Sequence, residues 1–197
     1  MQKTSEDRFD VTDFLPFLDP LIRKWFNSRY EGLTEPQRKA IPLIHNRENV
    51  LVSSPTGTGK TLTGFLSVIN ELFILSREGR LEDRIYCLYV SPLKALANDI
   101  NKNLEQPLSE IRDVALSEGL DFPQIRAAVR TGDTPQNERA KMLRKPPHIL
   151  ITTPESFSLA LSAPKFREKL KDLVHPVICN LVAGFCKIIH RCYGAQI

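Results

Sequence analysis

The chain has 197 residues, enough for one α/β domain with a real core or for one domain plus part of a second, so two complete domains would be tight. Hydrophobic residues at 42%, charged residues at 25% and a formal net charge of +4 are ordinary values for a globular fold with a mild basic bias. That bias is compatible with a polyanionic partner without establishing one.

The N-terminus, MQKTSEDRFD, has no apolar h-region, so a cytoplasmic chain without a secretory signal is expected. Apolar residues then follow at helical spacing (Phe14, Phe17, Leu18, Leu21, Ile22, Trp25, Phe26), interrupted by Pro16 and Pro20, which predicts one or two short helices packing on the domain. Thr34 is placed to cap a helix from Glu35 or Pro36 through Ile44. Next comes a strand over 49–52, then the loop Ser54 to Thr61, then a helix carrying Leu62, Phe65, Leu66 and Ile69.

Beyond it the pattern alternates strand and helix. Strands are predicted at 85–90, 125–129 and 149–152, with helices over 93–117, 135–144 and from about Glu155. Continuous Val/Ile/Leu runs between helices imply a mainly parallel sheet with helices on both faces, and in such sheets ligands sit at the carboxyl ends of the strands. The charged stretch Arg77 to Arg84 and the Lys145-Pro146-Pro147 break read as loops.

The loop SPTGTGKT carries the most chemistry. Gly57 and Gly59 allow a tight turn whose successive N–H groups point into one concavity, a nest for phosphate oxygens, and Lys60 adds a point charge. Ser54, Pro55, Thr56, Gly57, Thr58, Gly59, Lys60 and Thr61 are therefore the candidate nucleotide-binding residues. The Thr61 hydroxyl is the candidate ligand for a magnesium ion. The usual pattern has Gly where this chain has Ser54. Four cysteines are present, Cys87 alone and Cys179, Cys186 and Cys192 crowded near the end; even with His175 and His190 nearby, their spacing is too wide for a structural zinc site. The run from Val177 to Ile189 is too short to span a bilayer and contains Lys187, so no membrane segment is expected.

Upstream, Leu33-Thr34-Glu35-Pro36-Gln37 resembles the Q motif of superfamily 2 helicases. Downstream, SPLKALAND (Ser91 to Asp99), VRTGDT (Val129 to Thr134) and ITTPES (Ile151 to Ser156) resemble, in the right order, their nucleic-acid-contacting loops. The wording is most similar to the large helicase-related (Lhr) group, over about residues 9 to 171. The resemblance implies a RecA-like P-loop domain, ATP with Mg2+, and DNA or RNA held by its backbone without sequence preference; DNA repair is implied by the family alone. It assigns the Gln37 amide to paired hydrogen bonds with the adenine edge, with Tyr30 or Phe26 stacking on the base, although core packing is the ordinary fate of both aromatics. It assigns Pro92, Lys94, Arg130, Thr131, Gly132, Asp133, Thr152, Thr153, Pro154 and Glu155 to the nucleic acid: threonine hydroxyls as donors, glycine for close approach, free N–H groups at helix starts and two cations for charge. Taken singly, each loop also reads as a capped helix start.

The family continues from a segment like Lys165 to Asp172 (KFREKLKD) into a strand ending Asp-Glu-x-His, whose acidic pair serves the magnesium ion and the attacking water. Here no acidic residue occurs after Asp172. His175 and Pro176 argue against a buried central strand there, so residues 173–197 read as a tail from another frame or otherwise unrelated, the alternative being a divergent relative. The expected organisation is a helical extension over 1–32, a partial RecA-like domain incomplete at its C-terminal side over 33–172, and that tail. The expected function is the ATP-binding lobe of an Lhr-like helicase, inactive alone and with no catalytic residue assigned. A non-catalytic nucleotide- or nucleic-acid-binding remnant, or a small-molecule P-loop kinase, is the alternative. Oligomeric state is open.

Overall fold

The computed structural model describes residues 10–55, 57–92, 94–122, 124–170, 177–182 and 185–189. A short 3-10 helix at Val11–Asp13 leads into α1 (Pro20–Arg29) and α2 (Glu35–His45). Then follow β1 (Val50–Ser53), α3 (Lys60–Arg77), β2 (Cys87–Val90), α4 (Lys94–Ser117), β3 (Ala127–Arg130), α5 (Gln136–Arg144) and β4 (Ile149–Thr152). The chain continues through α6 (Pro154–Leu161), α7 (Pro164–Glu168), β5 (Val177–Val182) and β6 (Phe185–Ile189). Every helix and strand expected up to residue 161 is present, with ends displaced by a residue or two.

The strands form one sheet in the order β1-β6-β5-β2-β4-β3. β2 pairs in parallel with β4 and β5, and β4 in parallel with β3, whereas β6 is antiparallel to both β5 and β1. Reversal twice restores direction, so β1 runs the same way as β5, β2, β4 and β3. All their carboxyl ends therefore lie at one end of the sheet.

Alternation along the strands distributes the core. Cys87, Tyr89, Ile149 and Ile151 face a large cluster that includes Trp25, Phe26, Phe65 and Phe73, while Leu88 and Leu150 face a smaller one with Ile85, Ala160 and Phe166. That is why β2 and β4 read as unbroken apolar runs. β1 departs from this pattern: Val50 and Val52 are buried but Leu51 is 59% exposed, so only one face of this strand is covered. Val11, Leu15, Leu18, Leu21, Ile22, Trp25 and Phe26 are all buried in the large cluster, so the N-terminal helices share the core of the domain.

The expectation that the tail would not supply a sheet strand is corrected. Val177–Val182 forms a strand between β6 and β2, in register with Leu88 to Val90. His175 and Pro176, on which that expectation rested, fall outside the described residues.

His148 joins the two parallel pairs at their amino ends. Its carbonyl accepts from the N–H of Tyr86 and of Cys87, its N–H donates to Arg126 O at 2.8 Å, and its Nδ1 accepts from Arg126 N at 3.2 Å. Burial, then the Arg126 charge, lowers its pKa from 6.5 to about 4. The folded protein thus holds the imidazole neutral where an unfolded chain would protonate it. Stability from this group is complete above pH 6.5 and is lost as pH falls from there towards about 4. His148→Gln is expected to flatten the loss of urea midpoint over that window; an acid limb as steep as that of the wild type would contradict it.

Candidate nucleotide and nucleic-acid site

The phosphate loop leaves β1 and enters α3 through Gly57 (φ 82°) and Gly59 (φ 78°), both in the left-handed region that side chains avoid. Gly59 is also the N-cap of α3 and supplies no side-chain cap. Across the base of the loop, the Ser54 and Thr58 hydroxyls are 2.7 Å apart, and Thr58 Oγ1 donates to Pro55 O at 2.9 Å. Lys60 Nζ donates to Ser54 O at 2.5 Å and to Pro55 O. Thus Ser54, the departure from the usual glycine, ties the loop to itself. Thr61 is half-buried in the first turn of α3, and Thr56 lies outside the described residues.

Helix α2 holds this loop from the side. Its N-terminus is a capping box, in which Thr34 Oγ1 accepts from Gln37 N at 3.4 Å and Gln37 Oε1 accepts from Thr34 N at 2.9 Å. The same two side chains reach the loop, Thr34 Oγ1 donating to Thr58 O at 2.9 Å and Gln37 Nε2 to Gly59 O at 3.5 Å. Gln37 is only 4% exposed. The amide expected to face adenine is therefore bonded inside the protein; among the described residues, one Oε1 lone pair and one Nε2 proton remain uncommitted.

Of the two aromatics weighed for base stacking, Phe26 is fully buried and is a core residue. Tyr30 is half-buried, with its ring 4.7 Å from that of Phe26 and 5.8 Å from that of Trp25. It lines a cleft of about 210 Å³ together with Gly59, Thr61, Leu62, Leu104 and Glu110. Burial, then Glu110, raises the Tyr30 pKa.

The other candidate loops share the end of the sheet where the phosphate loop sits. Val90, Thr152 and Arg130 are side by side in the parallel ladder, so the segments that follow them emerge together. Pro92, Gly132, Asp133, Pro154 and Glu155 are exposed there, and α4 begins at Lys94, whose side chain is not among those described.

The expected hydroxyl donors are corrected. Thr152 is 1% exposed and donates to Arg130 O at 2.7 Å; Thr153, 3% exposed, caps α6 and is 3.0 Å from Ser156 Oγ. Thr131 is buried too, its N–H bonded to Thr134 Oγ1 at 2.8 Å. The Thr152 and Thr153 hydroxyls build the loop after β4, because burying a hydroxyl without a partner costs about 1–3 kcal/mol. The idea of free N–H groups at Pro154 is also narrowed, since proline has none and Thr153 takes that of Ser156.

Arg130 is half-buried with its guanidinium 4.5 Å from the centre of the Phe166 ring, and burial, then the charge of Arg139, lowers its pKa. Arg139, not singled out by the sequence, donates to Thr134 O at 2.8 Å, Thr131 O at 3.3 Å and Gly132 O at 2.8 Å.

Residues 34–178 match the family described as DEAD/DEAH box helicase. The chain belongs to the DEAD/DEAH box helicase family. It is 59% identical over 175 residues to the ATP-dependent helicase Lhr-Core protein 2 of Thermococcus barophilus, and 56% identical over 178 residues to the ATP-dependent helicase Lhr-Core of Methanothermobacter thermautotrophicus. These matches cover 89% and 90% of the chain but 20% of each relative, so the chain spans about a fifth of the length of these relatives. The structure of Mycobacterium smegmatis helicase Lhr bound to ssDNA and AMP-PNP superposes with a TM-score of 0.72 at 44% identity, over 79% of this chain and 19% of that one. The fold is thus that of a helicase RecA-like domain, and the Lhr resemblance holds across most of the chain. Among the described residues, no helix is long and apolar enough to cross a membrane, and no group of His, Cys, Asp and Glu is arranged to hold a metal ion.

The two glycines of the phosphate loop give a paired test. A Cβ on Gly59 would lie 2.5 Å from Gln37 Nε2, whereas one on Gly57 would meet nothing within 4 Å. Both substitutions strain the backbone by about 1–3 kcal/mol, but only Gly59→Ala also displaces Gln37. Gly59→Ala is expected to lower the urea midpoint more than Gly57→Ala; equal losses would show that the contact between Gln37 and the loop carries no weight.

Proposed function

We propose that this chain is the ATP-binding lobe of an Lhr-type ATP-dependent helicase that grips nucleotide and nucleic acid without hydrolysing ATP. The observation that carries the reading is the phosphate loop, with Gly57 and Gly59 at positive φ, Lys60 folded over its carbonyls, and an α3 N-terminus without a side-chain cap. Such a loop suits a polyphosphate because glycines at positive φ let successive N–H groups turn toward one anion, where a Cβ would be strained or obstructed.

Residues Ser54 to Thr61 would hold the triphosphate, with Lys60 turning from loop carbonyls to phosphate oxygens and the Thr61 hydroxyl available to Mg2+. When bound, magnesium would supply charge neutralisation at the outer phosphates. The remaining lone pair and proton of Gln37 suit an adenine edge, and Tyr30 brings an aromatic face to the cleft beside Gly59 and Thr61. The solved relative carries AMP-PNP and ssDNA, which supports both ligands. Nucleic acid, DNA or RNA, would lie across the loops after β2, β3 and β4, held by Lys94, Arg130 and backbone N–H groups.

The lack of turnover rests on the tail. β5 occupies the place in the chain where the family's acidic strand belongs, yet its sequence is VICNLV and no carboxylate follows Asp172. On this reading residues 33–172 are a partial RecA-like domain, and residues 173–197 come from a shifted frame. Translating the gene beyond the Asp172 codon in the other two frames is expected to give an apolar run ending in Asp-Glu-x-His; its absence from both would favour a divergent relative.

Binding is tested with a fluorescent ATP analogue. Lys60→Ala is expected to weaken the wild-type affinity at least ~10-fold, as removal of a charge-assisted phosphate contact should, and equal affinities would sink the assignment. Purified protein is expected to release no phosphate above background with single-stranded DNA. Release that Lys60→Ala abolishes would overturn the claim of binding without hydrolysis.

A further inference from the structure

The turn Thr131 to Thr134 is held from one side by a single guanidinium. Arg139, half-buried on the first turns of α5, donates to the carbonyls of Thr131, Gly132 and Thr134. Among the described residues it forms no ion pair with a carboxylate; its neighbour Glu138 is paired with Lys141 instead. A full positive charge is thus committed to neutral backbone acceptors, and its planar fork suits several of them at once in a way a lysine ammonium does not.

The consequence lies in which backbone groups are consumed. Thr134 N donates to Thr131 O within the turn, and Thr131 N to Thr134 Oγ1. With three carbonyls turned to Arg139, the exposed Gly132 N–H has no acceptor among the described residues. Arg130, stacked on Phe166, flanks the turn. We propose that Arg139 is a positioning residue, which fixes the Thr131–Thr134 turn so that the Gly132 N–H can receive a backbone phosphate of the nucleic acid. This rests on the reading of the chain as a nucleic-acid-binding lobe.

The test uses the full chain with a fluorescein-labelled oligothymidylate, titrated by anisotropy at several salt concentrations, for wild type, Arg139→Lys and Arg139→Ala. Both variants are expected to bind ~10-fold more weakly, with the slope of log K against log salt unchanged, because no phosphate contact is itself deleted. Affinity for the ATP analogue is expected to stay at the wild-type value. In 15N-labelled protein the Gly132 amide signal is expected to move on adding DNA to wild type and to stay put in either variant.

A slope shallower by ~0.7, the value for one phosphate on a single strand, would show that Arg139 touches phosphate itself and overturn the positioning role. Unchanged DNA affinity in Arg139→Lys, or a matching loss of ATP-analogue affinity in both variants, would overturn it as well. Failure of the wild type to bind DNA, with its ATP-analogue affinity intact, would instead remove the underlying reading.

Discussion

The parallel ladder is the constraint on which the site depends. Because β2, β4 and β3 pair with Cys87, Ile149 and Ala127 in line, their last residues Val90, Thr152 and Arg130 are also in line. The loops after them must then leave from one edge of the sheet. β1 shares their direction, so the phosphate loop joins the same end although it lies far off in the strand order. The loop after β1 and the loops after β2, β3 and β4 come together through strand direction, with no contact between them required.

Within that frame, polar side chains that look exposed in the sequence are used to fasten the loops. Thr34 and Gln37 clasp the phosphate loop from α2, Thr152 and Thr153 close the loop after β4, and Arg139 holds the turn after β3. The common reason is that a loop bent tightly at the end of a buried strand turns carbonyls inward, and these must find donors.

The tail shows how little a sheet asks of a sequence. VICNLV and FCKII lack the acidic residues that the family's chemistry needs, yet both form strands, because β-branched and aromatic residues with available N–H groups satisfy a ladder. The family match itself runs to residue 178, into β5.

The sequence by itself determined the element order up to residue 161, the mainly parallel sheet, the glycine-rich loop between β1 and α3, and the family. These follow from short-range periodicity and from motifs whose spacing fixes their chemistry. It also shows that no Asp or Glu follows Asp172 in these 197 residues. Only the tertiary structure decided that Thr152 and Thr153 are buried, that Gln37 is committed to Gly59, that Leu51 lies open on an uncovered face, and that Arg139 governs a turn preceding it in the chain. Each of these depends on which partner reaches a group across sequence separation, as from Gln37 to Gly59 or from Thr152 to Arg130. A threonine after a strand is the same residue in the sequence whether its hydroxyl meets a phosphate or a neighbouring carbonyl, and packing alone chooses between them.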